Sequence, residues 1–319
     1  MIRHRIPEVL LMTISAFLWV LGSVKANSTE LDVLSSGGVV ILPFVTNRSF
    51  DRQEGAGVIY GNTLGGLSAG HCTVASVPGA DDGKFMGVEG GSFEEFLEHA
   101  TYAGKHIVVY FHGYYEDFER SCRRAATFKR RLSLDGELLL FSWPANSTPL
   151  TYADDVADLE ASTPVFLDVL DRLGQRFGHE HISIVGHSLG TRGLVRALRD
   201  WPEDEARFRN LVLVAGDMDR ERFREALPEL RKHIDHITVL VSDRDLPLKL
   251  SKTLNRGSRL GQAEGGAIEG VTVLDVTEIA DTHFSGHVYH LRNEAVVAMI
   301  RQALEPEADD TSKAAGTTQ

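Results

Sequence analysis

Residues 181–193 read HISIVGHSLGTRG. Ile182 to Val185 form a short β-rich apolar run, Gly186-His187-Ser188-Leu189-Gly190 follows, and a helical pattern continues through Leu194 to Asp200. Strand, G-x-S-x-G, helix is the context in which that pentapeptide marks a nucleophile elbow. A serine held in so tight a turn has a strained backbone and an exposed Oγ, and the chain on either side approaches too closely for a Cβ, hence the glycines. The helix beginning at Leu189 aims its N-terminal dipole at charge developing near Ser188. A bare G-x-S-x-G also arises by chance in unrelated chains, so the serine's partners must be sought elsewhere.

Around this stretch the chain alternates apolar runs with helical patterns. Strands are predicted at His106–Phe111, Glu137–Phe141, Ile182–Val185, Asn210–Ala215, Ile237–Val241 and Val271–Val276. Helices are predicted at Phe118–Leu132, Asp154–Phe177, Arg220–Arg231 (interrupted by Pro228), Leu246–Leu254 and Leu291–Leu304. Strands without polar alternation, separated by helices, imply a mostly parallel, doubly wound sheet covered on both faces. Ahead of it, Gly37–Val45 reads as a buried strand and Leu67–Val77 as its antiparallel partner. Asn47–Gly57 reads as a loop, Val58–Tyr60 as a short strand, Gly79–Gly91 as a loop and Phe93–His99 as a helical turn or two. Gly257–Gly270 is expected to be a flexible loop.

The chain has 319 residues, 43% hydrophobic and 24% charged, enough for one full core. One domain over residues 37–304 is the simplest division, with a polar linker at 27–36 and a disordered polar tail at 305–319. A net charge of −12 repels phosphate backbones and argues against a nucleic-acid partner. Residues 1–26 carry a basic start (Arg3, His4, Arg5), an apolar run from Val9 to Val24, and small residues before Ala26. That is the plan of a secretory signal peptide, implying a periplasmic or secreted protein. The apolar run is shorter than the roughly 20 residues that span a bilayer comfortably. An uncleaved N-terminal anchor is the alternative, and it would be the chain's one membrane contact. Cys72 and Cys122 either pair in an oxidising compartment or remain buried thiols, and they lack metal-ligand spacing. Asn27-Ser28-Thr29 and Asn47-Arg48-Ser49 are glycosylation sequons only in a eukaryotic secretory host.

In parallel sheets ligands bind beyond the carboxyl ends of the strands, and each such end here carries suggestive chemistry. HIVVYF is followed by His112-Gly113-Tyr114, where Gly113 lets the backbone turn so that the Tyr114 N–H faces a reacting carbonyl. The N–H of Leu189 would be the second oxyanion donor. ITVLV is followed by Ser242-Asp243-Arg244-Asp245, and either aspartate could orient an imidazole or cap the next helix. Asp217 and Asp219, beyond NLVLVA, are further candidates. The loop before the last helix holds His283, His287 and His290, where a general base belongs. The chain order Ser, Asp, His is that of α/β-hydrolases.

The chain also resembles the bacterial α/β-hydrolase family of esterase/lipase-superfamily proteins with unassigned natural substrates. The resemblance spans roughly residues 43–304 and rests on PFVTNRSF, GLSAGHCTVASVP, VVYFHGYYEDFE, LFSWPA, IVGHSLGTR, VSDRDLPLKLS and SGHVYH. It implies a single-domain α/β-hydrolase fold without a large cap, with Asp245 as the acid beside Asp243, and His287 as the base. Pro247 departs from the family's small residue but suits the first turn of a helix. Cys122 is particular to this chain, whereas the family often places a cysteine at Cys72, which argues against a bridge as a family trait.

The expected function is therefore carboxylic ester hydrolysis through an acyl-enzyme on Ser188, on a small-molecule ester and with no cofactor. A catalytically inactive binding protein of the same fold is one alternative. A metallohydrolase using His283, His287 and His290 is another, although H-x3-H-x2-H matches no standard metal signature. Bulky Tyr114 and Tyr115 are expected to narrow an otherwise open site.

Overall fold

A computed structural model describes residues 38–54, 57–77, 82–102, 105–148, 151–202, 207–280 and 285–305. The expected leader at 1–26, the linker at 27–36, the tail beyond 305 and His283 lie outside them. The described chain forms β1 (Val39–Glu54), β2 (Gly57–Ala75), β3 (Lys84–Ser92), α1 (Phe93–His99), β4 (His106–Phe111), α2 (Phe118–Leu132) and β5 (Gly136–Ser142). It continues with α3 (Tyr152–Phe177), β6 (Ile182–His187), α4 (Gly190–Arg199), β7 (Phe208–Val214), α5 (Arg220–His233) and β8 (Ile234–Val241). Last come α6 (Leu246–Asn255), β9 (Thr272–Asp275), α7 (Tyr289–Arg292) and α8 (Glu294–Leu304).

The strands make one nine-stranded sheet in the order β3-β2-β1-β5-β4-β6-β7-β8-β9. From β1 through β9 every neighbouring pair is parallel, whereas β2 runs antiparallel to both β1 and β3. This is the doubly wound sheet expected from the sequence. Side chains alternate between two cores. Ile107, Val109 and Phe111 of β4 face a cluster with Phe166, Leu170 and Leu173 of α3 and Leu194 of α4. Val108 and Tyr110 face the other side, against Phe128 of α2 and Ile300 of α8.

The amino-terminal hairpin differs from expectation. The predicted loop Asn47–Gly57 is mostly strand, because β1 continues to Glu54 and stays paired with β2 through register shifts at Thr46/Arg48 and Arg48/Phe50. Such bulges keep a ladder going while breaking the period-2 pattern that sequence reading relies on. The predicted loop Gly79–Gly91 contains β3, an edge strand whose glycines hide it. A Cβ at Gly70 would lie 2.0 Å from the Glu89 carbonyl oxygen, so this pair of strands is held too close for side chains there.

Two other departures concern breakers. Helix α5 runs through Pro228 without interruption; its buried face of Phe223, Ala226, Leu227 and Leu230 outweighs a lost backbone bond worth about 3 kcal/mol. The glycine-rich segment 257–270 is packed, not loose: Leu260 and Ile268 are buried and Gly261 bonds to both Ser242 and Gly216. Asn47 is also buried, with its amide donating to Ser162 Oγ at 2.8 Å, so that sequon is closed to a glycan. Cys72 and Cys122 are both buried free thiols in one hydrophobic cluster. Among the described residues no helix is long and apolar enough to cross a membrane.

The helix after the elbow sits directly on the end of β4. A Cβ at Gly190 would lie 2.3 Å from the His112 carbonyl oxygen and 3.0 Å from that of Phe111. Neither acceptor is a flexible side chain, so the backbone itself must shift. Gly190→Ala is expected to destabilise the protein by about 1–3 kcal/mol, read as a lower urea midpoint at unchanged m-value.

Candidate active site

Ser188 sits at the sharp turn between β6 and α4 with φ at 51°, in the left-handed region. Its backbone is pinned from three sides: Ser188 N–H donates to Val214 O, while Thr191 N–H and Asp217 N–H both donate to Ser188 O. The strain cost of about 1–3 kcal/mol is met by those bonds and by the packing beneath. The side chain is less open than the motif suggests. Ser188 is 4% exposed, because the His112–Glu116 loop lies across it.

Three of the singled-out residues form one hydrogen-bonded chain. The Ser188 hydroxyl donates to His287 Nε2 at 2.8 Å, and His287 Nδ1–H donates to Asp245 Oδ2 at 2.7 Å. The tautomer follows from chemistry, since a carboxylate only accepts. Asp245 is fully buried and N-caps α6, its other oxygen accepting from Leu248 N–H at 3.0 Å. One carboxylate thus fixes both a helix and an imidazole. Burial disfavours the charged form of His287, but Asp245 and, more weakly, Asp217 outweigh it and hold the imidazole above its usual 6.5.

The competing residues go elsewhere. Asp243 accepts from Ala263 N–H at 3.0 Å and donates its own N–H to Thr277 Oγ1, organising the loop beside β8. Asp219 N-caps α5. Asp217 is buried near Ser188 but is engaged by Tyr152 Oη at 2.9 Å and Ser251 Oγ at 2.5 Å, with Arg259 at 3.9 Å. His290 is wholly buried, its ring 4.3 Å from that of His187 and its Nε2 3.2 Å from Tyr110 Oη. Among the described residues no group of three or more His, Cys, Asp or Glu side chains is placed to hold a metal ion.

The role of Gly113 is one of space more than of turning. A Cβ there would lie 2.8 Å from Ser188 Cβ and 2.9 Å from His187 Nδ1, while the left-handed residue of this loop is Tyr115, at φ 64°. The glycine therefore lets the backbone at residue 113 lie against Ser188 and His187. Among the described residues, the N–H groups of Tyr114 and Leu189 take no part in the turn and cap bonds that secure this corner. Tyr114 packs edge-on against Tyr152 with centroids 5.4 Å apart, making one wall beside Asp217. Tyr115 is held under the guanidinium of Arg120, 4.4 Å from its ring.

Sequence reading gave no role to Arg48, which secures that loop. Its side chain is buried in the sheet and donates to Ser142 Oγ at 2.9 Å, Asn62 Oδ1 at 2.9 Å, Ala145 O at 3.2 Å and Glu116 O at 2.7 Å. It also reaches His112 Nε2 at 3.5 Å, while His112 donates through Nδ1 to Gly113 O at 2.9 Å. The His112 ring stacks on Trp143, whose Nε1–H donates to His112 O at 2.9 Å. Burial lowers the Arg48 pKa to about 10, which leaves it charged at neutral pH. In the sequence it stands within PFVTNRSF, at the start of the segment that reads as a loop. Behind the site Glu116 is fully buried, paired with Arg124 at 2.8 Å and 3.9 Å from His187 Nδ1. Burial raises the Glu116 pKa against the pull of Arg124.

Two outcomes follow from this geometry. Arg48→Met leaves a ring of buried acceptors unmatched and is expected to cost about 3–5 kcal/mol in chemical denaturation, with Arg48→Lys recovering part. Any hydrolysis that needs neutral His287 should rise with pH along a limb centred above 6.5. Asp217→Asn removes one charge that favours the imidazolium without touching its hydrogen bonds, so that limb should move to lower pH in a kcat/KM profile. An unmoved limb would separate Asp217 from the site's electrostatics.

Residues 90–303 match a protein family described as alpha/beta hydrolase of unknown function (DUF900). Among solved structures, similar ones include the thermostable carboxylesterase EstE1 from a metagenomic library, at 15% identity over 75% of this chain and 86% of that one, TM-score 0.37. A dienelactone hydrolase from Anabaena variabilis shows 14% identity over 75% and 91%, TM-score 0.39. The esterase LipW from Mycobacterium marinum shows 14% identity over 86% and 83%, TM-score 0.40. No curated protein matches the sequence. Because the family match spans most of the described domain, the chain belongs to this family of alpha/beta hydrolases of unknown function.

Proposed function

We propose that the protein is a serine hydrolase that cleaves carboxylic esters through an acyl-enzyme on Ser188. The observation that carries this reading is the Ser188–His287–Asp245 chain, at 2.8 and 2.7 Å, on a serine held at φ 51°. Ser188 Oγ attacks the ester carbonyl carbon as its proton passes to His287 Nε2, and Asp245 holds the resulting imidazolium. The amides of Leu189 and Tyr114 bind the oxyanion, a contribution of roughly 3–4 kcal/mol per donor. The tetrahedral intermediate collapses, the C–O bond to the alcohol breaks, and the alcohol leaves with the proton from Nε2. Water then gives a proton to the same nitrogen as it attacks the acyl carbon; the bond to Ser188 Oγ breaks, Nε2 returns that proton to Oγ, and the carboxylic acid leaves with Ser188 restored. The reaction needs no cofactor. The leader-like sequence at 1–26 supports export, so the substrate would be met outside the cytoplasm.

A fluorophosphonate probe should label the folded wild-type protein and leave Ser188→Ala unlabelled. Turnover of p-nitrophenyl esters should fall at least about 10⁴-fold in that variant. A folded wild-type protein that neither labels nor turns over any ester of the series would overturn the assignment. The wall formed by Tyr114 and Tyr152 should appear as a preference for shorter acyl chains, relaxed in Tyr152→Ala.

A further inference from the structure

Helix α6 presents three leucines to solvent on one face. Leu246, Leu250 and Leu254 are 55%, 61% and 69% exposed, while Leu248 and Ser251 on the opposite side are buried. Their i, i+4, i+8 spacing draws a stripe about 12 Å long. Along one flank lie Lys249, Lys252 and Arg256, and residues 246–260 contain no acidic side chain. Lys252 is paired with Glu264, whereas among the described residues Lys249 and Arg256 have no ion-pair partner. A cationic, apolar strip on a chain of net charge −12 is a local contrast that the fold does not require.

The strip is also tied to the site. It starts one residue after Asp245, and Leu246 N–H donates to Ser285 O, in the loop that carries His287. Leucine is under-represented in protein–protein hot spots, where Trp, Tyr and Arg dominate, and this face has no aromatic. An apolar stripe with a lysine and arginine flank instead matches a helix lying in an anionic lipid surface. We propose that α6 docks the protein on an anionic phospholipid surface, which places the Ser188 site beside esters carried in that layer. The docking stands on the helix alone; the substrate class rests on the proposed function.

The test uses the full chain carrying Ser188→Ala, so that binding is read without hydrolysis. The native cysteines are buried, so Leu250→Cys accepts an environment-sensitive fluorophore selectively. Its emission should shift to the blue with vesicles containing phosphatidylglycerol, and should stay near its solution value with phosphatidylcholine alone. Partition of the unlabelled protein should fall about tenfold or more in Leu250→Gln/Leu254→Gln, and again in Lys249→Glu/Arg256→Glu or at high salt. With Ser188 restored, the leucine pair should leave hydrolysis of a soluble ester unchanged and slow only an ester presented in anionic vesicles. No blue shift on anionic vesicles would overturn the docking. So would vesicle binding that survives the leucine pair, which would assign it to residues 9–24, or a leucine pair that only dissociates a dimer. Vesicle binding without any ester turnover would leave the docking intact and remove the proposed function instead.

Discussion

Ser188 occupies a backbone conformation that an L residue avoids, and much of the molecule serves to keep it there. A left-handed serine is stable only if relaxing costs more than the strain it stores. Here Val214, Thr191 and Asp217 bind its peptide groups, and Gly190 lets α4 rest on the end of β4. The Thr191 bond is local, but Val214 and Asp217 lie at and just beyond the end of β7, and Gly190 meets the end of β4, so the turn depends on the register of β4, β6 and β7 and not on local sequence alone. Gly113 meets it from the opposite side. The serine is therefore gripped between two strand ends, which explains why its hydroxyl is positioned but barely exposed.

The second organising element is a set of charges on β1, on the loop after β4 and on α2. Arg48, Glu116 and Arg124 are inexpensive only together with their partners, since burying an ion costs several kcal/mol before any attraction offsets it. From β1, Arg48 spreads its donors over β2, β5 and the segments after β4 and β5, so removing it loosens each of these at once. A packed apolar core could hold the same volume. What it could not supply is a directional bond to Glu116 O, and through it a fixed path for residues 112–116. These ions orient the loop whose Gly113 lies against the serine.

Much of this was legible beforehand. Continuous apolar runs separated by helical periodicity gave the parallel strands and their helices nearly residue for residue, as at Phe118–Leu132, because burial on both faces leaves little ambiguity. The elbow was legible because its glycines answer a steric demand. The choice between Asp243 and Asp245 was not legible from chemistry, since both follow β8 and both suit a helix cap. Only the fold shows that Asp245 can cap α6 and reach His287 together, while Asp243 turns to Ala263. Arg48 was invisible for a related reason: its partners lie far along the chain, and among polar neighbours in Asn47–Gly57 it read as part of a loop. The bulged hairpin and β3 escaped notice because irregular pairing erases the alternation from which strands are read.

The two margins of the sheet are unequal in origin but alike in effect. On one side β3 has nine residues but carries Lys84 and Glu89 and is broken by a register shift near Gly87. On the other, β9 has four residues and ends at Asp275. A sheet recruits stray strands through a long, flat, apolar border with free amides in a row. Neither border qualifies. Blunt margins of this kind let nine strands assemble while offering a second, unfolded molecule little to template on.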